Sequence, residues 1–168
     1  MRQALRITAI IVLVVTLAGA CVILYGMKTM APQVEQAWVT ATPAAQAQEM
    51  FDAVLAEAAQ GTFDGRLYGD ATGLDAQRCT FLTYTVRLKN RGFFPAEWIA
   101  LTVTPVHGEN GRDVLALAQG GANVLTSGSR GDLSVTILRE GDAAETQRTV
   151  EVSCYVFGRK TAFYIDVQ

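Results

Sequence analysis

The sequence predicts a mainly β protein: an antiparallel β-sandwich preceded by an N-terminal transmembrane helix and a short amphipathic helix. Three observations carry this. An uncharged run of 19 residues occupies Ile7–Tyr25. A helical apolar period runs from Met50 to Ala58. Beyond Gly61 the apolar period shortens to two and stays there to the C-terminus.

The first element is the apolar run. At about 1.5 Å per residue it covers close to 30 Å, the thickness of a bilayer's hydrocarbon core. Arg2 and Arg6 precede it and Lys28 follows. Positive-inside logic then sets residues 1–6 in the cytoplasm, 7–27 as the anchor, and 28–168 outside the plasma membrane. Ala18-Gly19-Ala20 offers a signal-peptidase-like site, and Leu17-Ala18-Gly19-Ala20-Cys21 resembles the lipobox of bacterial lipoproteins. An uncleaved anchor, a lipidated Cys21 and a cleaved signal therefore stand as alternatives, the length of the run favouring the anchor.

Residues 28–61 read as a stalk that includes the amphipathic helix. Pro32 discourages continuation of the membrane helix. Trp38 has two readings, at a lipid interface or packed on the outer domain. Thr42 is placed to cap the second helix, Pro43 to begin it and Gly61 to end it. Met50, Phe51, Val54, Leu55 and Ala58 share its apolar face.

Residues 62–168 carry seven expected strands, at 63–68, 79–89, 97–105, 113–118, 132–139, 148–157 and 161–167. Leu82, Tyr84, Val86 and Leu88 alternate with Thr83, Thr85, Arg87 and Lys89. Leu133, Val135 and Ile137 alternate in the same way, as do Val150, Val152, Cys154 and Val156. Each strand thus offers one face to a core and one to water.

The stretch from Tyr84 to Ile99, YTVRLKNRGFFPAEWI, resembles the first hairpin of immunoglobulin-like or fibronectin-like modules from bacterial envelope proteins. The resemblance implies an immunoglobulin-like β-sandwich, used in that family for adhesion, spacing and protein contact. It also implies a disulfide between the second and sixth strands, which here would join Cys79 to Cys154. Cys154 shares the core parity of Val150 and Val152, but Cys79 is out of step with Leu82 and Tyr84, so a bulge near Thr80 is expected if the bridge forms. Trp98 is likewise out of step with Ile99 and Leu101.

In such a topology the loops after the second and sixth strands share one end. They carry Lys89, Arg91, Phe93 and Phe94, and Arg159 and Lys160. This end is the candidate interaction surface: basic residues around two aromatics suit anionic headgroups or an acidic partner. The other reading has Phe93 and Phe94 plugging the open end of the core.

Composition narrows the rest. The 168 residues are 50% hydrophobic and carry a net charge of −2. That excludes a disordered chain and lacks the basic stripe of a nucleic-acid binder. Beyond residue 27 the charge is −4, from 12 basic and 16 acidic residues. With His107 the sole histidine, no nucleophile motif and no metal-ligand spacing, the sequence points to no enzyme and no cofactor. Asp64, Asp70 and Asp75 lie at spacings unlike a calcium loop, and Arg130-Gly131-Asp132 reads as turn chemistry rather than a receptor motif. The functional expectation is a membrane-anchored binding or scaffolding module that spans the bilayer once and contacts another protein or an envelope polymer. The alternatives are a pilin-like subunit, whose apolar helix would normally hold a Glu absent from Ile7–Tyr25, or an accessory subunit of an envelope transporter or enzyme.

Overall fold

The computed structural model of the chain describes residues 2–28, 31–108, 111–141 and 148–167. Helix α1 spans Arg2–Lys28. Its segment Arg6–Tyr25 is long and apolar enough to cross a membrane, with mean hydropathy 2.9 and none of it buried among the described residues. The rest of the chain is built from strands β1 (Gln33–Pro43), β2 (Gly65–Leu67), β3 (Cys79–Lys89), β4 (Ala96–Val103), β5 (His107–Gly108), β6 (Gly111–Leu117), β7 (Gly120–Gly121), β8 (Arg130–Gly141), β9 (Arg148–Val156) and β10 (Arg159–Val167), with helix α2 at Gln48–Gln60.

Two antiparallel sheets result. The larger has the order β1-β3-β8-β6-β2, with β5 and β7 paired to its members, and the smaller has the order β10-β9-β4. All seven expected strands have counterparts. Between the sheets lies a core that includes Leu82, Tyr84, Val86 and Leu88 from β3, Leu133, Val135 and Ile137 from β8, and Val150, Val152, Cys154 and Val156 from β9. These are the alternating residues of the sequence pattern, so the chain folds as a β-sandwich.

The stalk reading needs correction. Gln33–Pro43 is the edge strand β1, paired with β3 along its length from Gln33 opposite Lys89 to Pro43 opposite Thr80. The signal is period two: Ala37 and Val39 pack on the core. The sandwich therefore begins near residue 33 rather than 62. Pro43 closes that strand instead of opening a helix. A short 3-10 turn, Ala44–Ala47, precedes α2, and no side chain caps the helix. Gly61 ends α2 as expected, in the left-handed conformation at φ 69°, where glycine is unstrained.

A second, smaller core explains the parity of Cys79. Phe51 and Val54 of α2 pack on the outer face of the larger sheet, against Cys79, Phe81, Leu115 and Leu138. Phe81 lies opposite Leu138, and Leu138 opposite Leu115, forming one apolar row across three strands. β3 is thus buried on both faces at its start, and Cys79 points to the helix layer without any bulge. Cys154 points into the inter-sheet core. Both thiols are free and buried, so the Cys79–Cys154 bridge is not formed. The sheet stands between them.

The sheets are also joined by charge. Asp113 of β6, Arg139 of β8 and Arg148 of β9 are all buried. Asp113 Oδ1 accepts hydrogen bonds from Arg139 Nη1 at 3.2 Å and Arg148 Nη2 at 2.9 Å. Asp113 Oδ2 accepts from Arg148 Nη1 and from the Val106 N–H. Burial alone would raise the Asp113 pKa; the Arg148 hydrogen bonds, the Val106 N–H and Arg139 outweigh it and hold the carboxyl below its ordinary value. Arg148 also sits 5.7 Å over the Tyr84 ring.

Candidate functional site

The candidate residues fall at the end of the sandwich where β3 stops and β4 starts. The segment between these strands is not the turn of a hairpin, as its resemblance implied. β3 and β4 belong to different sheets, and the loop carries the chain across the open end of the core. Asn90 holds that crossing. It is fully buried. Its Nδ2 donates to the Phe94 and Leu125 carbonyls at 2.8 and 2.9 Å, and its Oδ1 accepts from the Gly92 N–H at 2.9 Å. Its backbone N–H donates to the Ser129 carbonyl, and its own carbonyl accepts from Gly128 N–H. Ser127 Oγ adds a hydrogen bond to the Gly92 carbonyl at 2.7 Å.

This knot gives the two phenylalanines different places. Phe94 is half-buried against the core, the plug expected of one reading. Phe93 is 80% exposed, as the other requires. Across the gap, β9 turns into β10 through Phe157 and Gly158, both with positive φ, at 52° and 73°. Two positive-φ residues between antiparallel strands make the type I′ geometry that favours Asn-Gly. Phe157 occupies the Asn position, is exposed, and meets Phe94 edge to face at 4.9 Å. Arg159 and Lys160 follow at once and are exposed, as is Arg91; Lys89 is half-buried at the end of β3. The segments 89–98 and 155–160 together hold four basic residues and one acidic one, Glu97, although the chain beyond residue 27 is acidic.

A second exposed feature adjoins this end. The outer face of the smaller sheet carries three rows that cross all three strands. Glu97, Tyr155 and Lys160 lie opposite one another, then Ala100, Ser153 and Ala162, then Thr102, Glu151 and Tyr164. Between Glu97 and Ala100 the register slips, and Trp98 sits in that bulge at φ 52° with 76% exposure. A bulky residue in the left-handed region is strained, by about 1 kcal/mol or more. Tyr155 and Tyr164 thus lie in the rows on either side of the small side chains Ala100, Ser153 and Ala162, with Trp98 in the adjoining bulge. The sequence showed Trp98 out of step; that mismatch was the visible sign of the bulge. Asn90 and Phe157 had no such sign, because a buried loop amide and an exposed turn phenylalanine share no periodicity with the strands.

The other features are structural. Trp38 lies beneath Arg87, 5.5 Å from guanidinium to ring, so of its two readings it packs on the domain. Arg87 makes a two-point pair with Asp132, both contacts 2.7 Å, and Arg130 pairs with Glu35. Arg130-Gly131-Asp132 thus lies in β8 with both charges engaged. Asp70 accepts from the Thr72 N–H and Asp75 from the Gln77 N–H, ordinary turn and cap contacts. Among the described residues no group of three or more His, Cys, Asp or Glu is placed to hold a metal ion. Cys79 is pushed up to about 11, by burial first and then by Glu140 and Asp75; burial also raises Cys154.

No protein-family model and no curated protein matches the sequence. Among solved structures, the chain is similar to the GAE domain of yeast GGA1, with TM-score 0.36 and 13% identity over 61% of this chain and 98% of that one. It is similar also to the GAE domain of GGA2p from Saccharomyces cerevisiae, with TM-score 0.34 and 10% identity over 61% and 93%. At those scores the sandwich assignment rests on the strand pairing described above.

Proposed function

We propose that this protein is a single-pass membrane protein whose β-sandwich, outside the plasma membrane, is a non-enzymatic binding or scaffolding module for another protein or an envelope polymer. The observation that supports it is the outer face of β10-β9-β4. Exposed aromatics around a row of small side chains form contacts with little side-chain entropy to lose, and aromatic side chains are enriched at interfaces. Trp98 is held there in a conformation that costs stability, which marks a side chain retained for contact rather than for packing. Helix α1 supports the anchor, since none of its apolar window is buried among the described residues. Tethering suits such a module: confinement to a surface raises effective concentration, so modest affinity suffices.

The test is photo-crosslinking from the full chain in its native membrane, with the reactive group placed at Tyr164 or, as a control, at Thr40 on the other sheet. A discrete adduct from position 164 and none from position 40 is expected. Equal adducts from both, or none from 164, refute the assignment of this face. Protease accessibility checks the topology: digestion of the sandwich from outside sealed cells is expected, and protection until lysis refutes it.

A further inference from the structure

We infer that the Phe93–Phe157 end of the sandwich is a lipid-contact site that seats the domain, end-on, on the anionic surface of the same bilayer that holds α1. The inference rests on the reading of α1 as the membrane anchor and goes beyond the partner face of the smaller sheet.

The link between helix and sandwich is short. α1 ends at Lys28 and β1 begins at Gln33. Five Cα steps reach at most about 17 Å. Gln33 pairs with Lys89, the residue before Asn90. The short connection therefore enters the sandwich at the end that carries the 90–95 loop and the 157–158 turn, while the second core and α2 lie toward the other end of β3. A helix leaving the bilayer at Lys28 brings this end to the headgroups.

Chemistry at the end fits that position. Phe93 is 80% and Phe157 67% exposed, more than an aromatic needs if its role is to close a core. Phe94 already does that. Around them stand Arg91, Arg159 and Lys160, with Lys89 at the edge, and Glu97 as the single acidic residue of these segments. Apolar rings at the centre and cations at the rim match a headgroup–acyl boundary with anionic lipid. Trp98 and Tyr155 follow one step above, the aromatic types that favour the interface. The presentation is rigid on both sides: Asn90 fixes the loop beneath Phe93, and the two-residue turn fixes Phe157. A seat of this kind makes the orientation of the smaller sheet's outer face a consequence of the fold rather than of a flexible stalk.

The experiment uses the full chain reconstituted in vesicles of phosphatidylcholine, with and without phosphatidylglycerol. A fluorophore sensitive to its surroundings is attached at Phe93→Cys, Phe157→Cys or, at the far end, Gln77→Cys, in a Cys21→Ala background; Cys79 and Cys154 are buried and stay unlabelled under native conditions. Lipids carrying a spin label near the headgroup report depth. Emission from positions 93 and 157 is expected to fall about twofold in anionic vesicles and that from 77 to stay constant. Arg91→Glu with Lys160→Glu is expected to abolish the quenching at 93. Absence of quenching at both 93 and 157 in chains that float with the vesicles overturns the inference and leaves the anchor intact. That is also the result if the end binds an acidic protein instead. Chains that fail to float refute the anchor reading, and the inference with it.

Discussion

Replacing Asn90 tests how the exposed end is held. Its amide makes three hydrogen bonds from a fully buried position. In Asn90→Ala the Leu125 carbonyl keeps the Ala96 N–H at 2.9 Å. The Phe94 carbonyl and the buried Gly92 N–H lose their partner in Asn90. Two orphaned backbone groups at about 1–3 kcal/mol each, partly relieved as water enters the loosened loop, give a loss of about 2–4 kcal/mol. Against a total stability of about 5–15 kcal/mol that is a large fraction, and a fall of roughly 6–12 °C in Tm is expected. Asn90→Asp separates this account from mere loss of volume. It retains an acceptor for Gly92 N–H but turns a carboxylate toward two carbonyl oxygens. Its folded-state pKa must then lie above the unfolded value, so the variant is expected to be less stable than Asn90→Ala at pH 7 and to recover as pH falls below about 5. Thermal melts of the full chain in detergent, from pH 4 to 8, measure both. An Asn90→Ala loss under 0.5 kcal/mol, or an Asn90→Asp curve parallel to that of Ala, refutes the idea that this side chain fastens the crossing.

Three further outcomes follow from the same contacts. Phe157→Asn relieves a strained turn residue by about 1 kcal/mol and forfeits an edge-to-face contact of about 0.5–1.5 kcal/mol; stability is expected to change by less than about 1 kcal/mol, and a larger fall in urea melts shows Phe157 to be a core residue. Asp113→Asn leaves two buried guanidinium groups facing a neutral amide and is expected to cost about 3–5 kcal/mol at pH 7. Because the Asp113 pKa is depressed in the fold, wild type should lose this advantage only as pH falls from the ordinary carboxylate range through the lower folded value, and the stability gap to Asp113→Asn should narrow there; a gap constant down to pH 2 contradicts the shift. Cys79 and Cys154 are expected to resist thiol reagents at pH 8 in the native chain and to react fully in denaturant. Failure of both to react in denaturant until a reductant is added, with the unalkylated chain two mass units low, would show a bridge and disprove the two-core account.

How far the fold was readable depends on what each signal reports. Alternation along β3, β8 and β9 is a direct record of which face meets the inter-sheet core, and those strands were legible almost to the residue. β1 was not, because Ala37 and Ala41 bury little surface and a Pro at position 43 suggests a helix start as readily as a strand end. With 33–43 a strand, only residues 29–32 separate α1 from the sandwich. Cys79 gave a true signal with two explanations. Parity against Leu82 and Tyr84 is broken equally by a bulge and by a sheet buried on both faces, and only the position of α2 decides between them. At the candidate end, the basic residues and Phe93 were legible from loop placement, whereas Asn90 and Phe157 depend on contacts thirty-five and sixty-three residues apart in sequence, with Leu125 and Phe94 respectively.

The two surfaces carry a common argument about strain. Trp98 and Phe157 share φ 52°, and they are the non-glycine residues described with positive φ. In both places Asn or Gly would relieve the backbone at no loss of core packing, since both side chains are mostly exposed. Folding gives little net reason for an aromatic ring at either position, since the contact of Phe157 with Phe94 does no more than offset its strain. They lie on the same sheet, one in the bulge that begins β4 and one in the turn that ends β9, and Ala96 pairs directly with Val156 between them. Strain at two neighbouring exposed sites, on an otherwise regular sheet, fits the two contact surfaces proposed above. The corresponding double change, Trp98→Gly with Phe157→Asn, should keep the chain folded in thermal melts while lowering both the anionic-vesicle quenching and the crosslinking by which the proposed lipid seat and partner face are read.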